Sequence, residues 1–392
     1  MTQHIGHAPR VLVVGGSLGG LAAGLELASA GCNVEIFERS DRVLDDRGAG
    51  IVMQAETMHL LRKYNLADEQ NAGVWSNYRQ YLERDGTSAS RSRSAQLMTS
   101  WGLLFRRFRQ AFPQEHYHDG CSVKSVEQDG TAVEVRFADG RTERGDLLIC
   151  ADGARSTCRQ AFLPEIQPKY AGYVAWRGVV PEKMVDPKLL TTFADHFTFF
   201  HMPSSHILCY LIPGAEGEIS PGERRLNWVW YWNVAEELLP DLLTDIDGKP
   251  RDFSVPPGQV QPEHVAAQRK IAEQYLPLPF FQLFEGTREP FIQPILDLAV
   301  PQMAFGRVCL IGDAAFVPRP HTAASTSKAI SNAIALGKAI STDSDVVAAL
   351  RSWEPGQLAL GRELDSQGQF LGNRSQFPGR SLDTLKGTHT SG

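Results

Sequence analysis

Val11-Leu12-Val13-Val14-Gly15-Gly16-Ser17-Leu18-Gly19-Gly20 is the stretch on which the fold turns. Four apolar residues in a row suit a strand buried on both faces, and the glycines that follow suit a tight turn. Small residues continue through Leu21-Ala22-Ala23-Gly24-Leu25-Glu26-Leu27-Ala28 as a helix, and a second strand, Val34-Glu35-Ile36-Phe37-Glu38, ends in an acid. Glycines at these points let the backbone approach a pyrophosphate at a helix N-terminus, while the acid accepts hydrogen bonds from a ribose diol. Gly15, Leu18 and Gly20 are therefore assigned to a dinucleotide, with Glu38 on the ribose and Arg39 beside it. Ser17 replaces the middle glycine of the pattern, so its side chain must point away from the phosphates. A glycine turn in an unrelated strand–helix unit is the bland reading; the strand before, the helix after and the spacing to Glu38 weigh against it.

Two further segments repeat the theme. Asp146-Leu147-Leu148-Ile149-Cys150-Ala151-Asp152-Gly153 is an apolar strand ending in an acid beside glycine, and Val308-Cys309-Leu310-Ile311-Gly312-Asp313-Ala314-Ala315 is another, followed by Pro318-Arg319-Pro320-His321. Segments so far apart must close on one ligand, and the three together point to FAD. Asp152 and Gly153 join the cofactor set. Gly312 lets the backbone pass close to the flavin, and Asp313 accepts a hydrogen bond from the ribityl chain. Thr322-Ala323-Ala324-Ser325 reads as a helix start continuing through Leu336, whose unpaired N–H groups face the flavin pyrimidine, where negative charge gathers on reduction. Taken alone, Asp313 reads better as a helix-capping aspartate.

The order of these motifs resembles that of the class A flavoprotein aromatic hydroxylases, the group that includes p-hydroxybenzoate and salicylate hydroxylases. The resemblance covers most of the chain. It is carried also by Tyr170-Ala171-Gly172-Tyr173-Val174, Trp176-Arg177-Gly178, Trp230-Tyr231-Trp232-Asn233-Val234-Ala235-Glu236 and Ser352-Trp353-Glu354. Phe316 stands where that family often has histidine, and Ala323-Ala324-Ser325 where it often has glycines. The resemblance implies an FAD enzyme with NAD(P)H as a transient co-substrate. It would hydroxylate a small, already hydroxylated aromatic or N-heteroaromatic ring, a dihydroxypyridine being the specific expectation, through a C4a-hydroperoxyflavin in a dry pocket. It also implies that Arg47-Gly48-Ala49-Gly50-Ile51 is a flavin-contacting loop, with Arg47 and Gly50 in the cofactor set; an ordinary surface turn is the alternative.

Composition agrees. A chain of 392 residues with 42% hydrophobic content buries a large core and has room for more than one domain. A net charge of −6 gives no reason to expect nucleic acid or a membrane as partner. The six cysteines are scattered with no metal-ligand spacing, and no leader-like N-terminus is evident, so a cytoplasmic protein without a metal is expected. The expected fold class is α/β: a Rossmann-like FAD-binding domain with a mixed-sheet substrate domain and C-terminal helices. The FAD domain takes residues 1–72, 101–166 and 288–343, with a substrate-side excursion at 73–100. A strand-rich substrate sheet fills 167–287, helices fill 344–378 and a flexible tail fills 379–392.

Within the substrate sheet, Trp228, Trp230 and Trp232 alternate with Val229, Tyr231 and Asn233, placing one set on each face of a strand. An aromatic wall against a planar substrate and simple core packing are equally good readings. Flavin halogenases carry a tryptophan pair followed by isoleucine and proline, which Trp230-Tyr231-Trp232-Asn233 does not match. The catalytic candidates are His321, to orient a substrate oxygen, Arg319, to meet a nicotinamide or a substrate anion, and Tyr231; Tyr173, Tyr210 and His206 are further pocket candidates. The expected partners are a small aromatic or N-heteroaromatic substrate and O2, with a homodimer left open. A halogenase or oxidase on the same fold, and a non-enzymatic flavoprotein redox sensor, stand as alternatives.

Overall fold

Strand Arg10–Val14 lies in the middle of a six-stranded sheet, flanked by Leu147–Cys150 on one side and Asn33–Phe37 on the other. The computed structural model describes residues 8–41 and 50–379. Beyond Leu147–Cys150 come Val308–Leu310 and the short antiparallel Ala304–Phe305; beyond Asn33–Phe37 comes Tyr117–His118. The register is what positions the site. Val14 pairs with Phe37 and with Cys150, and Cys150 pairs with Leu310, so four parallel strands end level. The residues that follow them, Gly15, Glu38, Asp152 and Gly312, are thereby brought to one carboxyl edge, where open parallel sheets bind ligands. Helix Leu18–Ser29 covers this sheet and packs against helix Ser325–Thr342. Their close approach depends on small residues, because a Cβ at Gly337 would lie 3.0 Å from that of Glu26.

A nine-stranded mixed sheet forms the second layer, in the order Phe316–Val317, Phe291–Ala299, Lys169–Pro181, Arg225–Asn233, Ser205–Ile212, His196–Met202, Val74–Leu82, Ser88–Ser100, Gly50–Val52. Four of these, from Lys169–Pro181 through Arg225–Asn233, Ser205–Ile212 and His196–Met202, come from the stretch 167–287 expected to be strand-rich. Ser88–Ser100 is less obvious, since Ser-Ala-Ser-Arg-Ser-Arg-Ser is a poor strand former. It is extended because Val74–Leu82 pairs along most of its length. Phe291–Ala299 also belongs to this sheet, so the chain returns to the parallel sheet only at Ala304–Phe305, later than the boundary near 288. A meander of Val123–Gln128, Val133–Phe137 and Thr142–Gly145 completes the strands, turning at Gly140.

The C-terminal segment is one helix, Val346–Gln376, with Pro355 inside it, rather than several helices. It carries glycines on one face: a Cβ would lie 2.4 Å from the Phe316 ring at Gly361, 2.9 Å from the Arg319 backbone nitrogen at Gly368 and 2.6 Å from the Tyr173 hydroxyl at Gly372. This face lies flush on the Pro318–His321 segment. The tryptophans are core. Trp228 and Trp230 are 0% exposed and pack on Phe284, with their indole N–H groups donating to Thr287 Oγ1 and Ser205 Oγ. The opposite face of the same strand carries Asn227, Val229, Tyr231 and Asn233.

Candidate active site

Backbone geometry builds the first half of the site. Gly15 has φ +102, and a Cβ there would sit 2.3 Å from the Ala151 carbonyl oxygen; one at Gly20 would sit 1.8 Å from the Gly15 oxygen. Both positions exclude a side chain, as the sequence pattern required. Ser17 precedes helix Leu18–Ser29 in extended conformation and makes no side-chain cap, while Leu18 is buried, leaving its backbone N–H at the helix start. Glu38 is buried beside the turn and accepts from Gly16 N at 2.7 Å and Ser40 N at 2.9 Å, each oxygen keeping a further lone pair. Arg39 is exposed next to it. Arg47 lies outside the described residues, whereas Gly50 donates its N–H to Asn227 Oδ1 at 3.0 Å, and a Cβ on it would meet the Tyr210 ring at 2.7 Å.

The two acidic motifs complete this edge. Asp152 Oδ2 accepts from Cys158 N at 3.2 Å, while its Oδ1 is buried with no partner among the described residues, and burial pushes its carboxyl above the usual range. Gly153, at φ +78, has open space where a side chain would be. Asp313 accepts from Ser325 Oγ at 2.9 Å and Lys328 Nζ at 3.2 Å, both on Oδ1, and its side chain is 44% exposed. Gly312, at φ +61, donates its N–H to Asn332 Oδ1. Ala323 adopts φ 52, Ala324 precedes helix Ser325–Thr342, and no side chain caps that helix. An orphaned carboxylate oxygen, level strand ends, a glycine cradle and an uncapped helix N-terminus fit a dinucleotide with a flavin head.

The second half is the inner face of the nine-stranded sheet. Tyr173 pairs with Asn233, Ala175 with Tyr231 and Arg177 with Val229, while His206 pairs with Tyr231 and Tyr210 with Asn227. All of these project to the side opposite the tryptophans. His321 joins them from the Pro318–His321 segment: its Nε2 lies 2.8 Å from the Tyr173 hydroxyl, and its ring, tilted against both, is centred 4.6 Å from that of Tyr231 and 5.3 Å from that of His206. Burial, and secondarily Arg319, pushes the His321 imidazole down to about 3, and burial pushes His206 well below the ordinary value. Burial likewise raises Tyr231 to about 12 and Tyr173 further. The cluster is therefore a set of neutral donors and acceptors at neutral pH.

A family model for an FAD binding domain-like segment matches residues 170–297. The chain is 36% identical over 376 residues to the 2,6-dihydroxypyridine 3-monooxygenase of Paenarthrobacter nicotinovorans, covering 94% of this chain and 92% of that protein. It belongs to the class A flavin hydroxylases. The 6-hydroxynicotinate 3-monooxygenase of Bordetella bronchiseptica is 27% identical, with 84% of this chain and 82% of that one covered. The solved structure of 2,6-dihydroxypyridine-3-hydroxylase from Arthrobacter nicotinovorans superposes with a TM-score of 0.90 at 34% identity, over 96% of this chain and 94% of that one. The protein is an FAD-dependent monooxygenase, and nothing in these matches supports a halogenase, an oxidase or a redox sensor.

In this hydroxylase the Arg319 guanidinium is engaged by the protein's own groups. Arg319 is 6% exposed, its guanidinium forked onto Asp297 at 2.7 Å through Nε and Nη2 and joined to Asn373 Oδ1 at 2.8 Å through Nη1. The arginine faces the C-terminal helix and strand Phe291–Ala299, and its guanidinium carbon also lies 5.7 Å from the centre of the Tyr173 ring, at the margin of the cluster. Sequence reading did not find Asp297, Asn373, Ser375, Arg177 or Lys328. Ser375 Oγ lies 2.6 Å from His206 Nδ1, across 169 residues of chain, and no local pattern announces such a pair. Arg177 donates to Gln293 Oε1 at 2.9 Å, and its Nε is buried without a partner among the described residues. Alternation from Tyr173 places Arg177 on the same face, and that was its one available signal.

Proposed function

We propose that this hydroxylase acts on a small N-heteroaromatic ring that already carries hydroxyl groups, a dihydroxypyridine or close analogue. The observation that carries the reading is the neutral His321–Tyr173 pair, flanked by Tyr231 and His206, beside the Gly312–Asp313 edge. Hydroxylating such a ring requires that a ring hydroxyl lose its proton or be strongly hydrogen-bonded, and an imidazole held neutral offers an acceptor for that hydrogen bond. Aromatic rings around it exclude water, which favours productive use of oxygen over release as peroxide. Bound FAD supplies the oxygen-activating chemistry after reduction by NAD(P)H. The chain's own residues hold the cofactor at Gly15, Gly20, Glu38, Asp152 and Asp313, orient the ring through Tyr173 and Tyr231, and accept a hydrogen bond from its hydroxyl at His321. Arg177, electrostatically coupled to Tyr231, balances the ring oxyanion.

The named activities of the two monooxygenase relatives, both on hydroxylated pyridines, support this choice of ring. The test is NADH and NADPH oxidation measured across phenols and hydroxypyridines, with peroxide quantified and product mass determined. A hydroxypyridine should both accelerate flavin reduction and yield a product heavier by one oxygen. Equal peroxide with and without every ring would overturn the reading. We further propose a cytoplasmic enzyme, supported by six buried free cysteines, and leave a homodimer to be tested by light scattering.

A further inference from the structure

Lys328 is a charge for which the reaction has no use. It is the fourth residue of helix Ser325–Thr342 and is 2% exposed. Its Nζ donates to Asp313 Oδ1 at 3.2 Å and to the Phe316 carbonyl oxygen. Asp365 on the C-terminal helix is electrostatically coupled to it and keeps a buried Oδ1 with no partner among the described residues. Burial lowers the lysine and raises Asp365, the direction expected of charges withdrawn from water. An ammonium group in such a place is costly unless its acceptors repay it, so those acceptors identify its role.

They lie at the two ends of the short segment from Asp313 to Phe316, which begins with the aspartate of the glycine–aspartate motif. Ser325 adds a third link, also onto Asp313 Oδ1. Every hydrogen bond that Asp313 makes among the described residues falls on that one oxygen, while the side chain as a whole is 44% exposed. The carboxylate is thus anchored from inside the protein by one oxygen, leaving Oδ2 for a ligand.

We propose that Lys328 is a positioning residue for the cofactor: it pins Asp313 through Oδ1, so that Oδ2 stands as a fixed acceptor for a ribityl hydroxyl of FAD. The inference rests on the reading of Asp313 as an FAD ligand. A carboxylate held in one rotamer loses no further freedom when the cofactor docks, and one tied to a buried ammonium keeps that orientation when the cofactor displaces its water.

The test is a double-mutant cycle read as FAD affinity. FAD is titrated by fluorescence into the deflavinated full chain carrying Lys328→Met, Asp313→Asn, or both. Lys328→Met should weaken FAD roughly tenfold or more, and the double variant should bind within about twofold of Asp313→Asn alone. A parent-like Kd for Lys328→Met, or losses that multiply in the double variant, overturns the proposal. A parent-like Kd for Asp313→Asn alone instead removes the reading of Asp313, and any loss in Lys328→Met then arises by another route. Circular dichroism checks that the variants fold. If Lys328→Met does not, Lys328→Gln, which keeps a donor without the charge, takes its place in the same cycle with the same criteria.

Discussion

At the carboxyl edge of the parallel sheet, position is set by backbone: Gly15 and Gly20 sit where no Cβ fits, and level strand ends bring Glu38, Asp152 and Asp313 together. On the inner face of the nine-stranded sheet, position is set by side chains from distant segments: Tyr173, His206, Tyr231, His321 and Ser375 come from four strands and loops and the last turn of a helix. The two regions meet where Gly50 binds Asn227 and Ala323 packs on the cluster around Tyr210. A backbone-built site tolerates few substitutions but is shared by enzymes with different substrates. A side-chain-built face changes its substrate by exchanging single residues and relies on buried polar clamps to keep its parts in register.

The clamp offers the sharpest way to break this contrast. Asp297→Ala leaves the buried Arg319 charge without its fork and should cost about 3–5 kcal/mol, whereas Asp297→Leu combined with Arg319→Met should recover most of it. Urea denaturation of the three proteins decides the matter; a loss below 1 kcal/mol, roughly that of a surface pair, would return Arg319 to the list of possible anion receptors. Next in size, Gly20→Ala forces a Cβ onto the Gly15 carbonyl and should cost about 3 kcal/mol with loss of FAD from the purified protein. Retained flavin and stability would mean that the turn adapts.

On the sheet face, His321→Gln should lower turnover about a hundredfold while leaving FAD content at the parent level. Parent-like turnover and coupling would move the hydrogen-bond acceptor for the ring hydroxyl elsewhere on that face. The same imidazoles set an acid limit. His206 and His321 are lowered from 6.5 when folded, so the unfolded chain binds more protons below that pH. Stability should be full above about pH 6.5 and fall on acidification, and His206→Asn should lessen the fall between pH 7 and 5 in urea titrations. The smallest effect is expected at the helix start. Ala323→Gly removes the strain of φ 52 but adds freedom to the unfolded chain, so stability should change by less than about 1 kcal/mol.

The sequence alone determined what depends on local chemistry. Apolar runs that end in glycine and an acid dictate strand, turn and ligand edge within a few residues, so the FAD half of the fold was legible from Val11–Gly20, Asp146–Gly153 and Val308–Ala315. Alternation also placed Tyr231 and the tryptophans on opposite faces of one strand, but it had no means of saying which face met the cofactor. Tertiary structure decided that, because a face is chosen by what packs on it: helix residues such as Phe284 cover the tryptophans and leave the other face to His321. It set the partners of Arg319 in the same way, Asp297 and Asn373 lying 22 and 54 residues away. Partners at such separations are fixed by how the chain closes on itself, and no local pattern encodes them.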